Sequence, residues 1–153
     1  MPRYSYTSNS QLPIGMPLID IQLSSGSNGL VVSALVDSGS SLNILPFDVG
    51  IELGLIWEQQ SFPIDLGGVL KDSQAYGVLL RAQIADLEPT RLAFAWVNKP
   101  SSEVRPLLGQ VNFFQEYDVH FYGNQKFFEI DLKTGWDFYY WLPNHSGKVL
   151  DAA

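Results

Sequence analysis

The sequence predicts an all-β domain with one or two short helices. Of its 153 residues, 46% are hydrophobic and only 16% are charged, a balance typical of a compact β-rich domain and not of a disordered chain. Polar and apolar residues alternate from Met16 to Leu23, which predicts a half-buried strand. A run dense in β-branched residues follows from Leu30 to Val36. A turn rich in Ser, Gly and Asn separates the two, so we expect a hairpin.

The rest of the chain continues this pattern. Pro46 suits the first turn of a helix and Gly54 the position after its end, so a short helix is predicted between them. A second hairpin is predicted about Gly123-Asn124, a strong turn signal. Further strands are predicted at 60–66, 75–84, 91–97 and 104–108, and a second short helix at 110–116. No repeat or linker interrupts them, and a chain of this length fits one domain.

Charge and composition exclude several classes of function. The formal net charge is −7 and no basic cluster is present, so neither nucleic acid nor a membrane surface is expected as a partner. The absence of cysteine excludes disulfides and thiolate chemistry. No run is long enough to span a bilayer, and the first residues lack the apolar core of a signal peptide. We therefore expect a soluble, cytoplasmic protein without a cofactor.

The most informative motif is Asp37-Ser38-Gly39, between the apolar runs 34–36 and 42–45. An ionised carboxylate is costly to desolvate unless donors surround it. A small hydroxyl residue and a glycine supply donors and a tight turn. The motif therefore predicts a functional carboxylate, Asp37, on an active-site loop completed by Ser38, Gly39 and Ser40. The alternative interpretation is an ordinary solvated turn.

Three features together resemble the retropepsin-like (retroviral-type) family of single-domain aspartic proteases. The first is Asp37-Ser38-Gly39 followed by a short helix that ends in Leu53-Gly54-Leu55. The second is the tip Gly67-Gly68-Val69, where the family carries its flap; a plain hairpin turn is the alternative there. The third is Leu107-Leu108-Gly109, similar to the element that wraps around the catalytic loop in this fold.

The resemblance implies a closed acid-protease barrel with one half-site per chain. It covers residues 16–132, leaving 1–15 as a flexible arm and 133–153 as an aromatic tail. Two departures are informative. Viral members often carry an Asp two residues after the catalytic Gly and pair it with an Arg after the later Gly. Here Ser41 and Gln110 occupy those positions, which puts a viral-type dimer contact in doubt.

The resemblance also implies an activity: an aspartic endopeptidase that cleaves peptide bonds between apolar residues. Such chemistry needs two carboxylates that share a proton and activate one water. The chain has a single Asp-Ser-Gly and no Asp-Thr-Gly, so the second carboxylate would come from a homodimer. A peptide or protein substrate would bind in extended conformation beneath the flap.

Two other interpretations remain open. One is a catalytically silent retropepsin-like domain that binds peptides or proteins, and the other is an unrelated β-barrel that binds a small ligand. His120 and His145 are isolated and follow no ligand spacing, so no metal site is expected. The aromatic run from Trp136 to Trp141 is interpreted as core, with dimer contact as the alternative.

Overall fold

The computed structural model describes residues 1–10 and 13–133. This part of the chain is mostly β, as the sequence predicts, with two short α-helices. The strands are β1 (Arg3–Ser5), β2 (Leu18–Ser25), β3 (Asn28–Val36), β4 (Asn43–Leu45), β5 (Ala75–Gln83), β6 (Thr90–Val97), β7 (Leu107–Leu108), β8 (Tyr117–Tyr122) and β9 (Phe127–Leu132). The helices are α1 (Phe47–Glu52) and α2 (Phe113–Glu116).

Six strands close into a barrel in the order β2-β3-β7-β4-β6-β5, with β5 pairing back to β2. The hairpins β2–β3 and β5–β6 are antiparallel. In contrast, β7 runs parallel to β3 and β4 runs parallel to β6. The short strands β4 and β7 therefore lie side by side between the two hairpins. This arrangement brings the segment after β3 next to the segment after β7.

The barrel interior holds the main hydrophobic core. Along β2 the residues Ile19, Ile21 and Leu23 are buried, and the intervening Asp20 and Gln22 are exposed. This is the period-two pattern of a strand with one face in the core. Burying each large apolar side chain contributes about 1.5–3 kcal/mol, so the alternation fixes which face of β2 points inward.

A second sheet has the order β1-β9-β8. The N-terminal segment thus differs from the expected flexible arm, because residues 3–5 form a strand paired with β9. Tyr4 stacks on Phe128 with ring centroids 5.6 Å apart, and Tyr6 lies 6.0 Å from the same ring. Tyr4 lies within β1 and Tyr6 lies just after it. Their packing on the core joins residues 1–7 to the rest of the domain.

Helix α1 is the predicted one, with Pro46 preceding it and Gly54 following at φ +81°. Its Gly50 lies flat against the indole of Trp96, where a Cβ would come within 2.2 Å of the ring. The start of α1 is also tied to a neighbouring loop, because the N–H groups of Phe47 and Ser101 donate to the Lys99 carbonyl and the Asp48 carboxylate. These contacts fix the helix that follows the Asp37 loop.

Some element boundaries differ from prediction. Residues 60–66 do not form a strand; they make one bridge to β5, from Pro63 to Tyr76. The predicted strand 104–108 shortens to β7, and the predicted helix 110–116 to α2. The aromatic run from Trp136 to Trp141, His145 and the 133–153 tail (except Lys133) lie outside the described residues.

Candidate active site

Asp37 directly follows β3, and the residue as a whole is partly buried. Its Oδ1 accepts a hydrogen bond from the backbone N–H of Gly39 at 2.9 Å. Its own N–H donates to the carbonyl of Leu108 at 2.9 Å, and its carbonyl accepts from the N–H of Ser40 at 3.1 Å. The carboxylate therefore sits in a tight turn whose backbone is bonded on both sides. Ser38 and Gly39 are exposed at the apex of this turn.

The segment after β7 clamps this turn through a row of hydrogen bonds. The N–H groups of Gln110 and Val111 donate to the carbonyls of Ser40 and Ser41, each at 2.9 Å. The Gln110 side-chain amide donates to the Ser38 carbonyl at 2.7 Å. The structure thus brings the predicted loop and the predicted Leu107-Leu108-Gly109 element together, as the sequence order led us to expect.

Gly109 is buried beneath the loop, and the space around its Cα is too small for a side chain. A Cβ on Gly109 would lie 2.5 Å from the carbonyl oxygen of Leu42 and 2.6 Å from that of Ser40. Both atoms are backbone, so they cannot swing aside as the end of a side chain would. The hydroxyl of Ser40 also bonds within the loop, donating to the Leu42 carbonyl at 2.7 Å.

Two buried asparagines, Asn43 and Asn112, hold Gly109 and its neighbours in place, and the sequence patterns did not predict this role. Asn43 is 0% exposed, and its Oδ1 accepts a hydrogen bond from the Gly109 N–H at 2.7 Å. Its Nδ2 donates to the Ala93 carbonyl at 2.9 Å and to Asn112 Oδ1 at 3.2 Å. A fully satisfied polar network of this kind specifies one arrangement of the core. The signal in the sequence was Asn43 itself, a polar residue within the apolar run 42–45.

The predicted flap tip lies at a single turn of 3₁₀ helix, Gly68–Leu70. Gly67 and Gly68 are exposed, Gly68 has φ +64°, and the side chain of Val69 is fully exposed. The arms below the tip are bonded to each other, since the Ile64 N–H donates to the Ala75 carbonyl at 3.0 Å. The tip is therefore a projecting turn on paired arms.

A second hydrophobic cluster joins the base of this turn to the Asp37 loop. Ile64 and Leu66 from the arm before the turn, and the partly buried Leu70 from the turn itself, pack with Leu42 and Ile44, which follow the Asp37 loop. Leu107 and Val111 also pack against it. Hence the arms of the predicted flap, the Asp37 loop and the segment around Leu107 share one apolar base.

His120, Asp48 and Tyr4 are titratable residues outside the Asp37 loop. His120 is exposed on β8, and within the described residues no group of three His, Cys, Asp or Glu side chains is placed to hold a metal ion. The hydrogen bond from Ser101 is the main cause that lowers the pKa of Asp48. Burial raises the pKa of Tyr4, with a smaller contribution from the charge of Asp86.

A groove of about 550 Å³ lies between β1 and the outer face of β2 and β3. Arg3, Asp20, Gln22, Ser33 and Gln83 are among its lining residues. None of the predicted site residues borders it. Among the described residues, no helix is long and apolar enough to cross a membrane.

Comparison of the chain with models of known protein families gives no match, and comparison with curated protein sequences gives none either.

Proposed function

We propose that this protein is an aspartic endopeptidase of the retropepsin-like family whose active form is a homodimer. The observation that carries the proposal is the clamp on the Asp37 loop: a carboxylate on a turn that residues 108–111 hydrogen-bond along its length. An ordinary solvated turn needs no such support. Catalysis by a carboxylate does, because the reacting group must be held in a fixed orientation.

The chemistry follows from pairing two such loops across a two-fold axis. Each chain supplies one Asp37, and two adjacent carboxylates cannot both ionise, so the pair shares one proton. The ionised member takes a proton from a bound water as that water attacks the peptide carbonyl. The protonated member donates to the carbonyl oxygen. Paired carboxylates in aspartic proteases are the general precedent for this division of roles.

The proposed substrate is a peptide or protein segment in extended conformation. The turn at Gly67, Gly68 and Val69 would close over it and exclude water. Leu107 and Val111 are partly buried residues at the edge of the second hydrophobic cluster, and their accessible apolar surface would favour apolar side chains next to the cleaved bond. No cofactor is needed for this mechanism.

The alternative is a retropepsin-like domain that binds such segments without cutting them. It would keep the same loop and clamp in a monomer, or in a dimer whose axis does not join the two Asp37 loops. The two functions therefore differ in whether two Asp37 side chains act together.

Mixing the wild type with Asp37→Asn protomers tests this directly. The wild-type concentration is held constant while the variant is added in increasing excess, and the cleavage of a peptide library is followed. In a homodimer with a shared dyad, variant protomers trap wild-type protomers in inactive pairs, so activity falls towards zero. If activity stays constant while the two proteins form mixed dimers, the shared site is excluded. Absence of cleavage by the wild type at all concentrations would favour the binding domain.

A further inference from the structure

Gln110 makes a contact that the proposed catalytic chemistry does not by itself require. Its backbone N–H already donates to the Ser40 carbonyl at 2.9 Å. Its side chain reaches further along the loop, and Nε2 donates to the Ser38 carbonyl at 2.7 Å. Gln110 is exposed, so water could satisfy its side-chain amide. The amide instead bonds to the loop.

The Ser38 carbonyl is directly coupled to the Asp37 carboxylate through one peptide group. The carbonyl of Ser38 and the N–H of Gly39 belong to the same planar unit. That N–H donates to Asp37 Oδ1 at 2.9 Å. A donor on the carbonyl side therefore fixes the direction of the N–H on the other side, and successive hydrogen bonds polarise and strengthen each other.

We propose that Gln110 is a positioning residue for the Asp37 carboxylate. Its amide holds the Ser38–Gly39 peptide in the orientation that directs the Gly39 N–H at Asp37 Oδ1. This inference deepens the proposed function and rests on it, because the carboxylate must react for its orientation to matter. An uncharged donor does this work, so the positioning does not depend on an ion pair.

Substitutions at Gln110 separate positioning from simple stability. Gln110→Met keeps the length of the side chain and removes the donor, and kcat should fall about three- to tenfold, the worth of one hydrogen bond. The Michaelis constant, KM, should change little, since the substrate does not touch the lost bond. Unfolding should also change little because the side chain is exposed.

Gln110→Glu gives a readout that a merely structural role would not move. An ionised Glu cannot donate to the Ser38 carbonyl, but a protonated one can. The ratio of its kcat to that of the wild type should therefore be low near neutral pH and rise towards one below about pH 4, the ordinary range of a Glu pKa. In segments 37–43 and 106–112 the wild type and Gln110→Glu share one ionisable side chain, Asp37. Dividing the kcat of the variant by that of the wild type therefore removes most of the contribution of Asp37 to the pH profile.

Gln110→Asp is the matched control, since it carries the same charge on a side chain too short to reach. Its ratio should stay low across the pH range. An equal rise for both acidic variants would mean that charge alone matters, and a flat ratio near one for Gln110→Met would overturn the positioning role.

A measurement without turnover separates failure of this inference from failure of the proposed function. In ¹⁵N-labelled protein the hydrogen bond from Gly39 to Asp37 Oδ1 protects the Gly39 amide hydrogen from exchange with solvent, and in Gln110→Met that exchange should become faster. If the Gly39 amide changes in this way but the wild type cleaves no peptide, the positioning role of Gln110 stands and the proposed protease activity is overturned. An unchanged exchange rate of the Gly39 amide in Gln110→Met would overturn the positioning role, whether or not the protein cleaves peptides.

Discussion

The side-chain oxygen of Asn43 accepts a hydrogen bond from the Gly109 N–H at 2.7 Å, within the protein interior. The two residues come from β4 and from the end of β7, and Gly109 in turn lies against the backbone of the Asp37 loop. A buried amide thus sets the position of the glycine on which the loop rests. The geometry of the candidate site is therefore determined partly by a residue behind it.

Replacing Asn43 by Leu should lower the free energy of unfolding by about 3 kcal/mol or more. The volume is nearly unchanged, but the Gly109 N–H and the Ala93 carbonyl lose their partner, and each unsatisfied buried group costs about 1–3 kcal/mol. Urea unfolding measures this. The control is Asn98→Ala, at an exposed asparagine that accepts one hydrogen bond, from the Gln74 N–H. Equal losses in the two variants would contradict the role of the buried network.

Gly109→Ala should destabilise the fold and displace the loop. The added Cβ would lie 2.5 and 2.6 Å from two backbone carbonyl oxygens, and overpacking of this kind typically costs about 1–3 kcal/mol. Thermal unfolding and the Gly39 amide resonance report the two effects. Gly123→Ala is the matched control because nothing lies within 4 Å of its Cβ, and a change within about 0.5 kcal/mol is expected. Similar behaviour of both variants would argue against close contact at Gly109.

The elements that the sequence predicted are those with a local signal. The β2–β3 hairpin, α1 and the β8–β9 hairpin follow from alternation, a proline and glycine at the helix ends, and the Gly123-Asn124 turn. The contact of the Asp37 loop with Leu107-Leu108-Gly109 was expected from the family resemblance and the order of the motifs, and not from local pattern.

The missed features depend on partners far away in the chain. Strand β1 exists because it pairs with β9, which lies more than 120 residues later, and three residues carry too little pattern to predict that. Asn43 was missed because its three partners come from β6 and from the segment after β7. Pro63 could have argued against a strand at 60–66, because it removes a backbone donor.

Asp48 should make the free energy of unfolding depend on pH below about pH 4. Its hydrogen bonds to Ser101 lower the pKa in the folded protein, so the stabilisation is present above the unfolded pKa of about 3.9 and is lost as pH falls through the folded pKa. Asp48→Asn should therefore lower the free energy of unfolding at pH 7 by about 0.5–1 kcal/mol, a range reduced because solvent screens this exposed site, and the difference from wild type should shrink towards pH 3. Denaturant unfolding across this range measures it.

Asp65→Asn controls for the loss of one exposed carboxylate, since Asp65 is exposed between Ile64 and Leu66. Its stability difference from wild type should stay small at both pH values. A difference for Asp48→Asn that grows as pH falls would contradict the assigned sign.

Val69→Asp should raise KM for a peptide substrate and leave stability within about 0.5 kcal/mol of wild type. The Val69 side chain is fully exposed, so it contributes nothing to the core, whereas under the proposed function it would contact the bound substrate. Val31→Asp is the control, since Val31 is 60% exposed on β3 and lines the groove beside β1. Unchanged KM in both variants would remove the flap role from residues 67–69.

The most direct test of the account is cleavage of a peptide library by wild type and Asp37→Asn, from acidic to neutral pH and at several protein concentrations. The substitution is nearly isosteric and removes only the ionisable group, so the variant should fold normally. We expect cleavage by the wild type, with specific activity rising with concentration as dimers form, and none by the variant. A folded variant that cuts at the wild-type rate would contradict the account.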